Sequence, residues 1–426
     1  MEQPFFEIDP RIGRAAEQAM ELCAEPMREI DGTTEYNQQK MLRAFVDAGV
    51  SESHFVGSTG YGYGDRGRDA LDRVYASAFG AEDALVRHLF ASGTHTLTVA
   101  LFGVLRPGDT MLSVTGIPYD TLRGVIGLNG KSSGSLEEFG IRYEQLDLNP
   151  DGTLDFEGMR ERIRPGLKMV YIQRSRGYTL RPSLFVEDIA RVAELAKKQA
   201  PGCIVMVDNC YGEFVQKTEP VSVGADLMAG SLIKNPGGGV APTGGYIAGK
   251  RELVEQCAYR LTSPGTGREI GATLGVNREL FMGAFHAPHV TGEALKTAVF
   301  TAALFETLGY EVTPRPLEKR ADIIQAVRLG DEASLVAFCQ GVQTGAPVDS
   351  FVVPEPWDMP GYDNQVIMAA GAFTLGASIE LSADAPLREP YAAWMQGGLN
   401  FHSGKLGAML AAQSMLKKGL LRGVAK

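Results

Sequence analysis

CIVMVDNCYGEF (residues 203–214), followed closely by DLMAGSLIKNPGGGVAPTGGYIAGK (226–250), is the stretch on which the reading of this chain turns. Ile204-Val205-Met206-Val207 has the length and β-branched content of a buried strand, and it stops on Asp208. A carboxylate at the end of a buried strand is costly unless a fixed positive partner meets it. A second apolar segment, Leu227 to Ile233, carries Lys234 into the glycine-rich loop Gly237-Gly238-Gly239. Two opposite charges are thus delivered to the ends of two adjacent apolar elements.

A lysine and a carboxylate so placed are what pyridoxal phosphate (PLP) asks of a protein. Its aldehyde takes a lysine amine. Its pyridine nitrogen takes a carboxylate that keeps the ring protonated and able to accept electrons from a substrate carbanion. Lysine suits the first role because a partly desolvated amine gives up its proton more readily. The plainer use of the same residues is a surface-loop lysine and a strand-end aspartate, positions both types often occupy.

Composition narrows the class. At 426 residues and 45.8 kDa the chain holds one large domain plus a smaller one, or two to three domains. Its 51 glycines exceed an average usage of about 7%, which fits a loop-rich α/β enzyme. A net charge of −10 and a pI near 5.3 argue against nucleic acid or an anionic membrane as partner. No apolar run reaches the roughly 18 residues of a membrane helix. MEQPFFEIDP lacks the basic and apolar regions of a signal peptide. Cys23, Cys203, Cys210, Cys257 and Cys339 are scattered, odd in number and without a CxxC pair, so they read as reduced thiols in a cytoplasmic protein.

Outward from the central stretch, strands and helices alternate. Residues 110–114, 141–148, 169–173 and 204–208 read as strands, and 154–163 and 183–199 as helices. Such alternation predicts a mainly parallel sheet with helices on both faces. Sites in such sheets lie at the carboxyl ends of the strands. Ser92, Tyr119, Gln173, Asp208 and Lys234 each fall just past a predicted strand. Ser92-Gly93-Thr94 opens a helix, where backbone N–H groups and two hydroxyls suit a phosphate; an ordinary helix cap is the simpler use.

At the N-terminus, 14–30 and 35–48 read as helices, and 1–55 as a helical arm. Gly62-x-Gly64-x-x-Gly67 within GSTGYGYGDRGR matches a dinucleotide fingerprint, but the segment before it is a poor strand. An anion-binding loop with Tyr61, Tyr63, Arg66 and Arg68 as donors, or a structural turn, are the other uses. His286 and His289 have the spacing of metal ligands, but a proline intervenes and no third ligand cluster is visible, so no metal is expected. The helix 291–308 and the break at Gly309-Tyr310 suggest a boundary, and 366–373 and 378–382 read as strands of a small sheet closed by a helix over 405–421. The resulting division is 1–55, a large α/β domain over 56–295, and a small α+β domain over 296–426.

With GYGYGDRGRD, FASGTHTL, GIPYDTL, IQRSRGY, VDNCYGEF, SLIKNPGGG and LREPYAAWMQGGL in this order, the sequence resembles the fold-type I PLP enzymes. More closely it resembles the methionine γ-lyase-related family often labelled aluminium resistance protein. The resemblance spans nearly the whole chain and is more specific for the cofactor than for the substrate. It implies a mainly parallel seven-stranded sheet with helices on both faces, and a carbon–sulfur lyase performing β- or γ-elimination on a cystathionine-, cysteine- or methionine-like amino acid. Lys234 would bind PLP and shuttle protons, Asp208 would pair with the pyridinium, and Tyr119 would stack on the ring. Ser92, Gly93, Thr94 and Ser231 would hold the phosphate, with Gln173 beside the cofactor.

In cystathionine and methionine lyases a tyrosine and an arginine reach the phosphate from a neighbouring subunit. Tyr63 and Arg66 are the nearest counterparts, although their spacing departs from the usual Tyr-x-Arg. A homo-oligomer, dimer or tetramer, with a shared site is therefore implied. The substrate carboxylate calls for a bidentate arginine; Arg388 is the first choice and Arg315 the second. Tyr61, Tyr63 and Tyr178 are candidates for acid chemistry at a leaving sulfur, with Tyr61 at the substrate. Cys210 reads as a packed thiol. The competing readings are a PLP γ-synthase, aminotransferase or aldolase on the same scaffold, and a nicotinamide enzyme or non-catalytic relative.

Overall fold

The computed structural model describes residues 5–130, 133–359 and 364–423. It divides into two compact units, one of residues 36–288 and one of residues 1–35 with 289–426. The first 35 residues thus group with the C-terminal part of the chain, where the sequence suggested a separate arm over 1–55.

Two helices open the chain, α1 (Pro10–Leu22) and α2 (Ala24–Asp47), divided at Cys23. In the larger unit the order is then α3 (Arg66–Phe79), β1 (Asp83–Arg87), α4 (Gly93–Val104), β2 (Thr110–Ser113), α5 (Asp120–Ile126), β3 (Arg142–Gln145) and α6 (Phe156–Arg162). It continues through β4 (Met169–Gln173), α7 (Val186–Gln199), β5 (Ile204–Asp208), β6 (Leu227–Ser231), β7 (Gly245–Gly249) and α8 (Arg251–Leu261). The seven strands form one sheet in the order β1-β7-β6-β5-β4-β2-β3. β7 runs antiparallel to both its neighbours and the other pairings along β6-β5-β4-β2-β3 are parallel. β1, β2, β4, β5, β6 and β7 are buried along their whole length. That is why they read as continuous apolar runs: a sheet covered on both faces needs no polar alternation. Two apolar clusters cover it, one holding Val170, Ile172, Val205 and Val207, the other Met169, Tyr171, Ile204 and Met206.

In the other unit, α9 (Asn277–Thr307), β8 (Glu311–Thr313), β9 (Gln325–Arg328), α10 (Glu332–Thr344), β10 (Val366–Ala369), β11 (Ser382–Pro386), β12 (Ala392–Gln396) and α11 (Phe401–Lys417) follow in order, α9 beginning in the larger unit. Their five strands form a sheet ordered β10-β11-β12-β9-β8, wholly antiparallel. The strand expected over 378–382 lies instead at 382–386, because 374–380 is taken up by turns. The helix expected from Thr291 starts at Asn277 and runs through Pro288. A proline inside a helix loses one hydrogen bond and crowds the preceding turn; Ala284 and Ala287, on the same helix, are fully buried. No helix among the described residues is long and apolar enough to cross a membrane.

Candidate active site

Because β1, β2, β4, β5 and β6 all point the same way, their carboxyl ends lie along one edge of the sheet. Asp208 closes β5 and pairs in register with Gln173, which closes β4. Ser231 closes β6, and Lys234 follows it in a turn leading to the short helical turn Asn235–Gly237. Ser92 caps α4 after β1, its hydroxyl accepting the His95 N–H at 3.0 Å. Tyr119 caps α5 after β2; its N–H donates to Gln173 Oε1 at 2.9 Å, and its hydroxyl lies 2.9 Å from Thr94 Oγ1. Ser92, Gly93, Thr94, Tyr119, Gln173, Asp208, Ser231 and Lys234 are thereby brought to one side of the sheet.

Their electrostatics are those of a desolvated site. Burial pushes the Asp208 carboxyl up, against the pull of Lys234 and the Cys210 N–H, which donates to Asp208 Oδ1 at 3.1 Å. Burial lowers the Lys234 amine; the negative charge available around it, that of Asp208 foremost at neutral pH, opposes this and holds it above its ordinary value. Burial, then the charge of Asp208, pushes Cys210 far up, so its sulfur is a thiol rather than a thiolate. Burial likewise raises the Tyr119 phenol.

These residues fit PLP. The Ser231 hydroxyl is buried without a hydrogen-bond partner, a costly state that an incoming acceptor relieves. It sits against the N-terminus of α4: a Cβ built on Gly93 would lie 3.3 Å from that of Ser231 and 3.7 Å from Cys210 Sγ. A helix start with free N–H groups beside an unpartnered hydroxyl suits a phosphate, and the buried carboxyl of Asp208 suits a protonated ring nitrogen.

The model of the methionine gamma-lyase family matches residues 12–416. The chain belongs to the methionine γ-lyase family. Among family relatives, the uncharacterised Bacillus subtilis protein YnbB is 49% identical over 395 residues, covering 92% of this chain and 94% of that one. The L-methionine gamma-lyase of Pseudomonas putida is 30% identical over 190 residues, 44% of this chain and 41% of that enzyme. A Clostridium novyi NT crystal structure described as a carbon-sulfur lyase involved in aluminum resistance superposes with a TM-score of 0.92 at 51% identity, over 96% of each chain. The PLP-dependent protein YhfS of Escherichia coli shares the fold at 16% identity, TM-score 0.62, over 91% of this chain and 97% of that one. The fold is that of fold-type I PLP enzymes, and the family is one of PLP-dependent lyases.

Other residues singled out from the sequence sit in other segments of the chain. Tyr61 and Tyr63 stack on each other with centroids 5.5 Å apart and are 71% and 66% exposed; Arg66, at the start of α3, is also exposed. Arg68, by contrast, is buried and ties the loop down through the carbonyls of Gly62 and Gly271. The glycine fingerprint is structural: no strand precedes it among the described residues, and Cβ atoms at Gly62 and Gly67 would run into Ala272 and His54. Arg388 lies in the turn after β11 in the unit that holds the C-terminal sheet, and Arg315 is paired with Glu306 at 2.9 Å. His286 and His289 lie on α9, and no cluster of metal-ligating side chains occurs among the described residues. All five cysteines are free and buried.

Sequence reasoning missed the layer beneath Lys234 and Asp208. Arg174 is wholly buried and donates to Asn209 Oδ1 at 2.8 Å and the Gly212 carbonyl at 2.9 Å, with Glu219 at 3.5 Å. Asn209 donates to Glu219 Oε2 at 3.0 Å, and Tyr246 donates to Glu213 Oε1 at 2.8 Å. Glu213 Oε2 is buried without a partner, and burial raises this carboxyl to about 8. The polar run of four residues at the end of β4, Gln173-Arg174-Ser175-Arg176, was the available signal: a charge beside a buried strand needs a buried partner.

Proposed function

We propose that the protein is a PLP-dependent carbon–sulfur lyase that eliminates a thiol from a cysteine-, cystathionine- or methionine-like amino acid. The observation that carries this reading is the placement of Lys234 and Asp208 at the carboxyl ends of neighbouring strands, beside the unpartnered Ser231 hydroxyl at the start of α4. When bound, PLP would supply an electron sink that lets an amino acid lose its α-proton and then a thiol from Cβ or Cγ; one water then hydrolyses the released enamine to a 2-oxo acid and ammonia.

In this reading Lys234 Nζ holds the cofactor aldehyde and, once freed, moves protons at the substrate carbons. Asp208 meets the ring nitrogen. The N–H groups of Gly93 and Thr94 and the hydroxyls of Ser92 and Ser231 receive the phosphate, while the Tyr119 ring covers the cofactor. Arg388 is assigned to the substrate carboxylate, and Tyr61, with Tyr63, to the departing sulfur. The exposure of Tyr61, Tyr63 and Arg66 supports a homo-oligomer in which a second copy completes the site.

The test is the visible spectrum of the purified protein with added PLP, before and after borohydride, alongside Lys234→Ala. A yellow band that borohydride removes and the variant lacks is expected; a protein that stays colourless overturns the reading. With single amino acids, release of 2-oxo acid, ammonia and thiol is expected. Turnover that requires a 2-oxo acid as second substrate would make the protein an aminotransferase instead.

A further inference from the structure

Lys234 Nζ lies 4.0 Å from the centre of the Tyr211 ring. An ammonium over an aromatic face is held by the ring's quadrupole. Tyr211 reaches this position only through an unfavourable backbone: its φ is +72°, in the left-handed region that residues with a Cβ seldom occupy. Such strain persists only where the surroundings over-determine it, and it gathers at functional sites.

The surroundings here are specific. Arg174 Nη1 donates to both the Asn209 side chain and the Gly212 carbonyl, so one buried guanidinium holds the chain on either side of Cys210-Tyr211. The Gly212 N–H closes the turn onto the Asn209 carbonyl at 2.9 Å. A Cβ on Gly212 would lie 2.6 Å from Arg174, so the two must meet as glycine and arginine. Arg174 is fixed in turn by the Leu184 carbonyl at 3.2 Å and Gln216 at 3.0 Å. A fully buried cation is a costly way to shape a surface turn; it is suited to fixing one ring against one amine.

We propose that Tyr211 is a positioning residue that receives the Lys234 amine on its ring face whenever that amine is free, and that Arg174 locks the strained turn presenting the ring. The free lysine is then kept inside the site and protonated, ready to give a proton from Nζ, instead of swinging away. The other titratable groups facing this amine are Asp208 at the end of β5, Cys210 in the same turn as Tyr211, and Tyr119 after β2, with Glu213 further along the turn. The inference rests on the reading of Lys234 as the cofactor lysine.

The test uses the full-length protein freed of PLP. Acetylation of Lys234 by acetic anhydride is followed against pH by peptide mass spectrometry, which reports the fraction of free amine. Tyr211→Phe keeps the ring and should titrate with the wild type. Tyr211→Leu and Tyr211→Gly lose it, and the Lys234 midpoint should fall by about one pH unit. Tyr211→Gly should also melt at the same or a higher temperature, since glycine adopts φ +72° without strain. A merely structural tyrosine would give the opposite pair of results for the glycine variant, a lower melting temperature with an unchanged midpoint. Superposed titrations for all four proteins, or a shift in Tyr211→Phe as large as in Tyr211→Leu, would overturn the proposal. A protein that binds no PLP yet shows the shift keeps the lysine–tyrosine pair and refutes the lyase reading; colour with PLP but no shift does the reverse.

Discussion

Gly93 and Ser231 are pressed together, the first residue of α4 against the last of β6, so that a Cβ on the glycine would lie 3.3 Å from the serine Cβ. The serine hydroxyl is nonetheless buried without a partner. Ser231→Ala should therefore leave the PLP-free protein as stable or up to about 1–3 kcal/mol more stable. The same variant should bind PLP roughly 10- to 100-fold more weakly, the worth of a charge-assisted hydrogen bond. Urea unfolding and spectroscopic titration measure the two effects; unchanged PLP affinity would remove Ser231 from the phosphate site.

Glu213 should make stability depend on pH. Its carboxyl is raised by burial to about 8 in the folded protein, while in the unfolded chain it titrates near 4.3, as an ordinary glutamate does. Between those values the folded state holds a proton that the unfolded state has lost. Stability then falls as pH rises, by up to about 1.4 kcal/mol per unit, and levels off above the folded value. Glu213→Gln should lose this slope between pH 5 and pH 8, as read from urea midpoints. Parallel pH profiles for the two proteins would mean that Glu213 is ionised.

Two glycine-to-alanine changes should act in opposite directions. In Gly237, which follows Lys234 by three residues, a Cβ would run into the Leu232 carbonyl oxygen. Gly237→Ala should cost about 1–3 kcal/mol or more by overpacking, and should loosen the loop that carries Lys234. Gly32, inside α2, has nothing within 4 Å of an added Cβ. Gly32→Ala should stabilise by about 0.5–1 kcal/mol through helix propensity alone. Thermal melts of the pair decide both.

The active site proposed to be shared between two copies predicts complementation. Lys234→Ala and Arg66→Ala should each be inactive alone. Co-expressed, they should recover about a quarter of wild-type activity, since random pairing gives hybrids with one intact site of two. No recovery, together with a fully active Arg66→Ala, would place Arg66 outside the chemistry.

How far the site was legible depends on the range of the forces that build it. Asp208 and Lys234 could be read because each ends a buried apolar run, and a strand signals itself over five or so consecutive residues. Ser92-Gly93-Thr94 was legible for the same local reason, as a cap before an apolar helix. β7, β9 and β12 were not read as strands, because their short apolar runs are fixed by pairing with distant segments, β7 with β1 and β9 with β12. The division of the chain was hidden too: residues 1–35 belong with 289–426 through contacts such as the Asp9 N–H with Gln413 Oε1 at 2.7 Å, which no local pattern announces.

The sequence by itself determined the parallel order of strands and helices, the edge of the sheet where chemistry gathers, and the lysine and aspartate there, since all of these follow from local apolar periodicity and from the cost of burying charge. Tertiary structure alone decided that Tyr211 turns its ring to Lys234 from a left-handed backbone, that Arg174 holds that turn, and that Glu213 is buried with one carboxyl oxygen unpartnered. Each of these sets a local cost of strain or desolvation against partners brought close only by folding, and a preference that is unfavourable on its own leaves no signature in the residues that carry it.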